Sequence, residues 1–528
     1  MRKFSSYGPI NPKLHYYATR ESLVEKAYIN LTGEFPAEGG HYFTVWAPRQ
    51  TGKTWIMQEV VKKINPTQEY EIGILSLERA KDEQNEKKFL EILIKKLNIA
   101  FDKSLPVIKQ INDIPDLFTG KYFRKPVILI LDEFDALKEN FINRLVSIFR
   151  DMYLSRGNES TKPAGEKTCL LHGLALIGVR SVLGIENQKG SPFNIQRSLH
   201  IPNLTQAEVE AMFQWYEKES NQKIEEAVVR ELYEETRGQP GLTCWFAELL
   251  TETYNHDPKK PITMRNYKEA YGAATHILPS NNILNLISKV NKPPYDEIVM
   301  EFFKTDEKIA FHFDNPDINY LYMNGVIDQE KVADDEYYLK FSCPFVQKRI
   351  FNYFSNRFFS YLGQLIHPLD AMEDAINEET LQIPNIVKRY RAYLKKNQET
   401  SFKNVPRRKD DLRIYEAIYH FNLYRYLYDL LRTRGVEVIP QFPTGNGKID
   451  LILRYREKVY ALELKSFKDM YGYEKGIDQA AAFARQLGLK EIVLLVFVEL
   501  SQEDARPLEK EVDRGDIKVV VLPVGVIF

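Results

Sequence analysis

"HYFTVWAPRQTGKTWIMQEVVKKI", residues 41–64, joins an apolar strand to an amphipathic helix through a turn-rich loop, with the helix expected from about Lys53. The loop Ala47-Pro48-Arg49-Gln50-Thr51-Gly52-Lys53-Thr54 follows the phosphate-binding pattern GxxxxGK[ST], except that Ala47 stands at the first Gly. In such a loop the backbone N–H groups and the helix N-terminus cradle phosphates. Lys53 reaches the β/γ oxygens, and the Thr54 hydroxyl binds Mg²⁺. Ala47 is compatible with this only if its position needs no positive φ. A chance GKT in a surface turn is the bland alternative, and the strand before and helix after it argue against that.

Working outward, "PVILILDEFDAL" (126–137) has the continuous Val/Ile/Leu run of a strand buried on both faces of a parallel sheet. It ends in Asp132, placed to hold Mg²⁺ through water, and Glu133, placed to polarise an attacking water. Asp135 reads as the cap of the following helix. A third strand, "LHGLALIGVR" (171–180), ends at Arg180, where the ligand crevice of a parallel sheet lies. That Arg either senses a γ-phosphate or forms a strand-end salt bridge. In "EETRGQPGLTCWFAELL" (234–250), Gly238-Gln239-Pro240-Gly241 falls between helices, where Pro can pack against a base and Gly permits close approach.

Together with "YYATRESLVEKAY" (16–28), "SPFNI" (191–195) and "IPNLTQAEV" (201–209), these motifs resemble the bacterial AAA-like ATPases, relatives of archaeal-type ATPases and STAND NTPases. The likeness spans about residues 10–275. It implies ATP and Mg²⁺ as cofactors, a γ-phosphate contact from Arg180, and nucleotide contacts from Gly238 and Pro240 in a helical lid. It also leaves room for a homo-oligomer in which a neighbour supplies an Arg.

Composition sets the wider frame. A chain of 528 residues with 44% hydrophobic residues is too long for one core and divides into about two to four domains. A net charge of −1 excludes a polybasic nucleic-acid binder, so charge is read regionally. Cys169, Cys244 and Cys343 lie far apart without metal-ligand spacing, which excludes a disulfide framework or a zinc site. The N-terminus has no apolar signal region, and the longest apolar runs are strand-sized, so the expected location is the cytoplasm, with no membrane contact.

From about Ile283 to Phe354 the pattern is helix, helix, then two short strands around an acidic loop, as in a winged helix. Asp328, Glu330, Asp334, Asp335 and Glu336 oppose phosphate contact there, so the segment reads as an interdomain or partner module. Between Lys388 and Arg413, ten basic residues face three acidic ones, a local balance of +7, with Tyr390, Tyr393 and Phe402 interleaved. This is either a solvated linker with its tyrosines turned inward or a stripe that tracks a phosphate backbone.

"VYALELKSF" (459–467) puts Ala461, Glu463 and Lys465 on one strand face. With "GKIDLILRYREKVYALELKSF" (447–467) read as a hairpin closed by a two-residue Arg456-Glu457 turn, Asp450 falls opposite Glu463. Facing carboxylates about 5 Å apart at Cβ destabilise a sheet unless a positive charge sits between them. A hard Mg²⁺ meets that condition, and Lys465 could orient a water or stabilise phosphorane charge.

This constellation resembles the PD-(D/E)XK nuclease superfamily over about residues 410–528, with Ile449 in place of the Pro. The resemblance implies a core of helix, three strands, helix and strand. It also implies that Glu416 is the first-helix acid, that Gln479 acts from the later helix with Phe483 in the usual Tyr position, and that Mn²⁺ can replace Mg²⁺. The alternative is an inactive fold kept for binding.

The expected architecture is α/β and multidomain: an AAA-like P-loop core over 1–200, a helical lid over 201–278 and a winged-helix-like domain over 279–360. A basic helical linker over 361–410 and a nuclease-like domain over 411–528 follow. The functional expectation is a nucleotide-gated, Mg²⁺-dependent nucleic-acid phosphodiesterase, with DNA expected ahead of RNA as the partner and nothing in the sequence choosing between them as substrate. Its rivals are a STAND-like switch that binds nucleic acid or protein without cutting, and a nuclease with a vestigial ATPase.

Overall fold

The computed structural model describes the chain except residues 179–196, 304–308, 363–364, 366–371, 409–410, 444–447 and 528. Arg180, the SPFNI stretch, Lys409 and Asp410 therefore lie outside the described residues. The chain forms two compact units, one of residues 1–289 and 311–345, the other of 290–310 and 346–528.

The first unit is built on a parallel sheet of β1 (Tyr42–Trp46), β2 (Glu71–Ser76), β3 (Val127–Asp132), β4 (Leu171–Gly178) and β5 (Arg197–His200). Their spatial order is β2-β3-β4-β1-β5. Every residue of β3 and β4 is buried, as their unbroken aliphatic sequences require. Alternate residues of β3 feed two cores. Val127, Leu129 and Leu131 join Phe89, Leu93 and Phe149 on one face, and Ile128 and Ile130 join Leu31, Met57 and Val60 on the other.

Helices Gln206–Ser220, Glu226–Thr236, Pro240–Glu248 and Met264–His276 follow the sheet. The first opens with a reciprocal Thr205/Glu208 capping box. After helices Asn281–Val290 and Pro316–Met323, strands β6 (Ile327–Lys331) and β7 (Tyr337–Phe341) pair as an antiparallel hairpin with an exposed acidic tip.

The stretch 279–360 is thus shared between the units, rather than standing alone. Its helix Tyr295–Phe302 belongs with the second unit, where Phe303 packs edge-on against Phe351 and Phe421 and Asp296 pairs with Arg357 at 3.3 Å.

The second unit carries a sheet in the order β12-β13-β11-β10-β9-β8. Its strands are β8 (Val436–Pro443), β9 (Lys448–Tyr455), β10 (Lys458–Ser466), β11 (Glu491–Val498), β12 (Lys510–Arg514) and β13 (Ile517–Gly525). Strands β8, β9 and β10 form an antiparallel meander. β10 then crosses to parallel β11 through helix Met470–Gln486. That helix closes on the sheet through Ile477, Ala480, Ala481 and Ala484, and the small alanines let it approach.

The β9–β10 register pairs Tyr455 with Lys458 and Leu451 with Leu462, so the two-residue turn has the expected length. Helix Glu416–Leu431, which precedes β8, is covered on both sides: Tyr419 stacks on Phe497 at 4.6 Å, and Phe421 meets Phe351 at 4.8 Å.

Within the stretch read as a basic linker, helix Ile383–Lys396 packs into this core. Tyr390 is fully buried and its hydroxyl donates to Asn422 Oδ1 at 2.7 Å; Tyr393 and Phe402 are buried too. Of the two readings of the basic stripe, the inward-turned tyrosines hold, so these rings are not available to stack on bases. Acids outside the stripe take up its arginines: Arg389 pairs with Asp374 at 2.6 Å, Arg391 with Glu509 at 3.0 Å and Arg407 with Glu499 at 3.6 Å. Among the described residues no helix is long and apolar enough to cross a membrane.

Candidate nucleotide site and a buried acidic site

The loop after β1 shows why Ala47 is tolerated. Ala47 is buried and outside the left-handed region, and the turn instead places Gln50 (φ 60°) and Gly52 (φ 89°) there. A Cβ on Gly52 would meet nothing within 4 Å, so its backbone angle, not crowding, demands glycine. Thr51 Oγ1 closes the loop by donating to the Pro48 carbonyl at 2.9 Å. The Lys53 ammonium donates to the carbonyls of Ala47 and Pro48, both at 2.8 Å. Burial lowers its pKa to about 8, against the opposing pull of Asp135 and Asp132; neighbouring Arg49 adds to the lowering.

Strand order puts β4 between β1 and β3, yet Thr54 Oγ1 donates to Asp132 Oδ2 at 2.6 Å. The other Asp132 oxygen accepts the Glu133 N–H at 2.8 Å. A hydroxyl beside a carboxylate is the hard-oxygen pair that suits Mg²⁺ retaining several waters. Glu133 has a left-handed backbone (φ 55°), and the Ser76 hydroxyl donates to its Oε2 at 3.0 Å. Partial desolvation raises the Glu133 pKa, with Glu78 and Asp132 adding to the effect and Ser76 opposing it.

Asp135 is not the cap expected for the next helix. A short 3₁₀ turn, Phe134–Ala136, intervenes, and helix Glu139–Asn158 is preceded by Lys138 with no side-chain cap. Asp135 instead lies against Gly178 at the end of β4, where a Cβ would come 2.9 Å from its carboxyl carbon.

The Gly238–Gly241 turn meets the phosphate loop. Gln239 Nε2 donates to the Arg49 carbonyl at 3.1 Å, and the Gly241 N–H donates to the Gln50 carbonyl at 3.0 Å. A Cβ on Gly241 would lie 2.5 Å from Gln50 Oε1, and Asn282 Nδ2 donates to that same oxygen at 3.0 Å. Gly238 (φ 67°) shapes the turn: its Cβ would stand 1.9 Å from the Leu204 carbonyl oxygen. Pro240 begins helix Pro240–Glu248, a position where its missing N–H costs nothing. Within this turn, Gln239 and Gly241, between and beside the two expected, contact the loop.

The match to a family model described as AAA-like domain covers residues 6–257. The chain carries an AAA-like P-loop ATPase domain. No curated protein matches the chain. Solved structures similar to it include a Walker-type ATPase of Pyrococcus abyssi, at 15% identity and TM-score 0.40, covering 66% of this chain and 99% of that one. Others are Cdc6p of Pyrobaculum aerophilum (13%, TM-score 0.36, covering 66% and 95%) and the Aeropyrum pernix ORC1 protein solved in complex with DNA (13%, TM-score 0.33, covering 63% and 92%). In the AAA-like domain, Arg20 extends the site's frame: its guanidinium donates to the Pro202 and Asn203 carbonyls at 2.7 and 3.1 Å and lies 3.3 Å from Glu208.

In the second unit, Asp450 and Glu463 are 1% and 0% exposed and Lys465 7%. Continuing the β9–β10 register by one pair sets Asp450 opposite Glu463. Asp450 Oδ2 accepts the Leu464 N–H at 2.7 Å, and Lys465 Nζ lies 4.0 Å from Glu463 Oε1. Glu416, at the start of helix Glu416–Leu431, accepts the Ser466 N–H at 2.6 Å, which brings the first-helix acid to the end of β10.

Gln479 is half-buried on helix Met470–Gln486, three residues beyond Gly476, where a Cβ would lie 3.3 Å from the Lys465 side chain. His420, which the sequence did not single out, is buried with Nε2 2.8 Å from the Asp450 carbonyl oxygen and Nδ1 3.6 Å from Asp450 Oδ1. Burial lowers the His420 pKa to about 3, so the ring is neutral.

Among the described residues no group of three or more His, Cys, Asp or Glu side chains is arranged to hold a metal ion. Two carboxylates beside a lysine fit a hard cation that keeps much of its own water, rather than one fully ligated by protein.

Proposed function

We propose that the chain is an ATP-controlled nuclease, in which the AAA-like domain governs a C-terminal Mg²⁺-dependent phosphodiesterase. The observation that carries the second half is the burial of Asp450 and Glu463 on the paired strands β9 and β10, with Lys465 and Glu416 alongside. The order of elements around them, helix, three strands, helix and strand, supports the same reading.

At the first site Lys53 and the loop amides bind the phosphates, Gln50 and Arg49 engage the lid, and Arg180 is proposed to contact the γ-phosphate. Glu133 takes a proton from the attacking water, a role suited to a carboxyl whose pKa is raised toward working pH. At the second site Asp450 and Glu463 would hold Mg²⁺, or Mn²⁺ in its place. When bound, the ion supplies Lewis-acid activation of a phosphodiester. Lys465 offsets charge developing on the phosphoryl oxygens, and Gln479 is proposed to position the substrate from the neighbouring helix.

Control by nucleotide draws support from helix Pro344–Phe358. Phe345 packs edge-on against Phe246 of the lid helix at 4.9 Å within the first unit, and Phe351 packs against His420 at 4.6 Å within the second. The backbone passes from one unit to the other inside that helix, and control by nucleotide is proposed to run along the chain there. The 279–360 segment, with its acidic hairpin, serves as a partner or interdomain module rather than a DNA contact.

A second reading, a nucleotide switch that binds nucleic acid or protein without cutting, is favoured by the depth of Asp450 and Glu463. The test is incubation of linear, circular and single-stranded DNA and of RNA with Mg²⁺ or Mn²⁺, with and without ATP. Wild type is compared with Lys53→Ala and with Glu463→Ala plus Lys465→Ala. Cutting that vanishes in the double variant and changes in Lys53→Ala supports the nuclease. Intact substrates in every lane, with ATP hydrolysis retained, would support the switch instead.

A further inference from the structure

His420 contacts Asp450, and the proposed phosphodiester chemistry leaves it without a role. It lies on helix Glu416–Leu431, one turn beyond Glu416, with its ring against Phe351. A carbonyl oxygen only accepts, so the 2.8 Å contact between Nε2 and the Asp450 main chain fixes the proton on Nε2. The neutral ring then carries a lone pair on Nδ1, which at 3.6 Å makes no hydrogen bond to Asp450 Oδ1. His420 therefore holds Asp450 by its backbone and leaves the carboxylate to others. One carboxylate oxygen, Oδ2, is oriented from the opposite side by the Leu464 N–H.

We propose that His420 is a positioning residue for a divalent cation at Asp450 and Glu463. It ties β9 to helix Glu416–Leu431 at the residue whose carboxylate must meet the ion. The same helix carries Glu416, which is bonded to the Ser466 N–H at the end of β10. One helix thus fixes both strands of the pair: His420 fixes β9 at Asp450, and Glu416 fixes β10 just past Lys465. A tie through the backbone sets where the carboxylate starts without competing for its oxygens. Groups that orient a ligating carboxylate typically change metal affinity by about 10–100-fold when removed. The inference rests on reading Asp450 and Glu463 as a cation site.

The test measures Mn²⁺ binding by the nucleotide-free, full-length chain, from the electron paramagnetic resonance signal of free Mn²⁺. The variants are His420→Gln, whose amide can donate near the position of Nε2, and His420→Phe, which keeps a planar ring without a donor. His420→Asn, too short to reach the carbonyl, replaces His420→Phe if that variant does not fold. Asp450→Asn combined with Glu463→Gln is the control.

The expected result is a Kd for Mn²⁺ raised about 10–100-fold in His420→Phe or His420→Asn and within a few-fold of wild type in His420→Gln, with ATP hydrolysis unchanged in all three. Equal binding by His420→Phe and wild type would overturn the role, as would equal weakening in His420→Phe and His420→Gln. Wild type that binds Mn²⁺ no better than the Asp450/Glu463 control would instead remove the cation site itself, and with it this inference.

Discussion

The acids of the two sites occupy opposite places on their strands. Asp132 and Glu133 stand at the end of β3, where the strand runs out into loops, and Thr54 and Ser76 reach them from neighbouring elements. Asp450 and Glu463 lie within paired strands, flanked by Leu451, Leu462 and Leu464 and shielded almost completely from solvent. A strand-end acid can serve a ligand without disturbing the core behind it. A mid-strand acid pair interrupts burial and persists only where something compensates its charge. The first arrangement points to a site by its position; the second is proposed as one on the electrostatic cost of its position.

The comparison breaks most visibly if the mid-strand pair has no chemistry. Replacing Glu463 and Lys465 together by Ala is expected to lower Mg²⁺-dependent cleavage by about 10⁴-fold or more while leaving ATP hydrolysis within about twofold, read by gel and phosphate-release assays on one preparation. Glu133→Gln should do the reverse. Hydrolysis falls by about 10²–10³-fold while ATP still binds, because the loop, Lys53 and Thr54 are untouched; equilibrium binding beside steady-state rates checks this.

Gly238→Ala sharpens the lid's part in the first site. Its left-handed backbone and the 1.9 Å approach to the Leu204 oxygen leave no room for a methyl group, so thermal unfolding should show a loss of about 2 kcal/mol. The smallest effect is a pH dependence confined to the strand-end site. Lys53 has a folded pKa lowered to about 8, so its charge is present below that pH and is lost as pH rises through it. ATP affinity should therefore fall about tenfold for each pH unit above 8, and Lys53→Ala should bind weakly without that slope, as titration calorimetry from pH 7 to 10 would show.

What the sequence revealed follows from how local each feature is. The phosphate loop and the Asp132-Glu133 pair are contiguous and need only a strand and a helix around them. The β9–β10 register was legible because a two-residue turn leaves one pairing, and it is seen as far as Leu451–Leu462, next to Asp450 and Glu463. Asp135 was misread because a three-residue 3₁₀ turn displaces the helix start to Glu139, a boundary no periodicity marks. The arginines of the basic stripe looked available because Glu499 and Glu509 lie about a hundred residues away and reach them only through the fold. Ser76, Asn282 and His420 carried no sequence signal, since each acts on a backbone or side-chain atom that tertiary structure brings near. Gln239 and Gly241 were within reach, as they adjoin the two motif residues singled out.

The central claim is that the strand-end site governs the mid-strand one. Its most direct test is the initial rate of Mg²⁺-dependent cleavage of one substrate by the same full-length protein with ATP, with ADP and without nucleotide, alongside Glu133→Gln held in ATP. The account predicts rates that differ by about 5–150-fold between nucleotide states, with Glu133→Gln in ATP matching the ATP-bound state and not the ADP-bound one. Equal rates in all four conditions would contradict it.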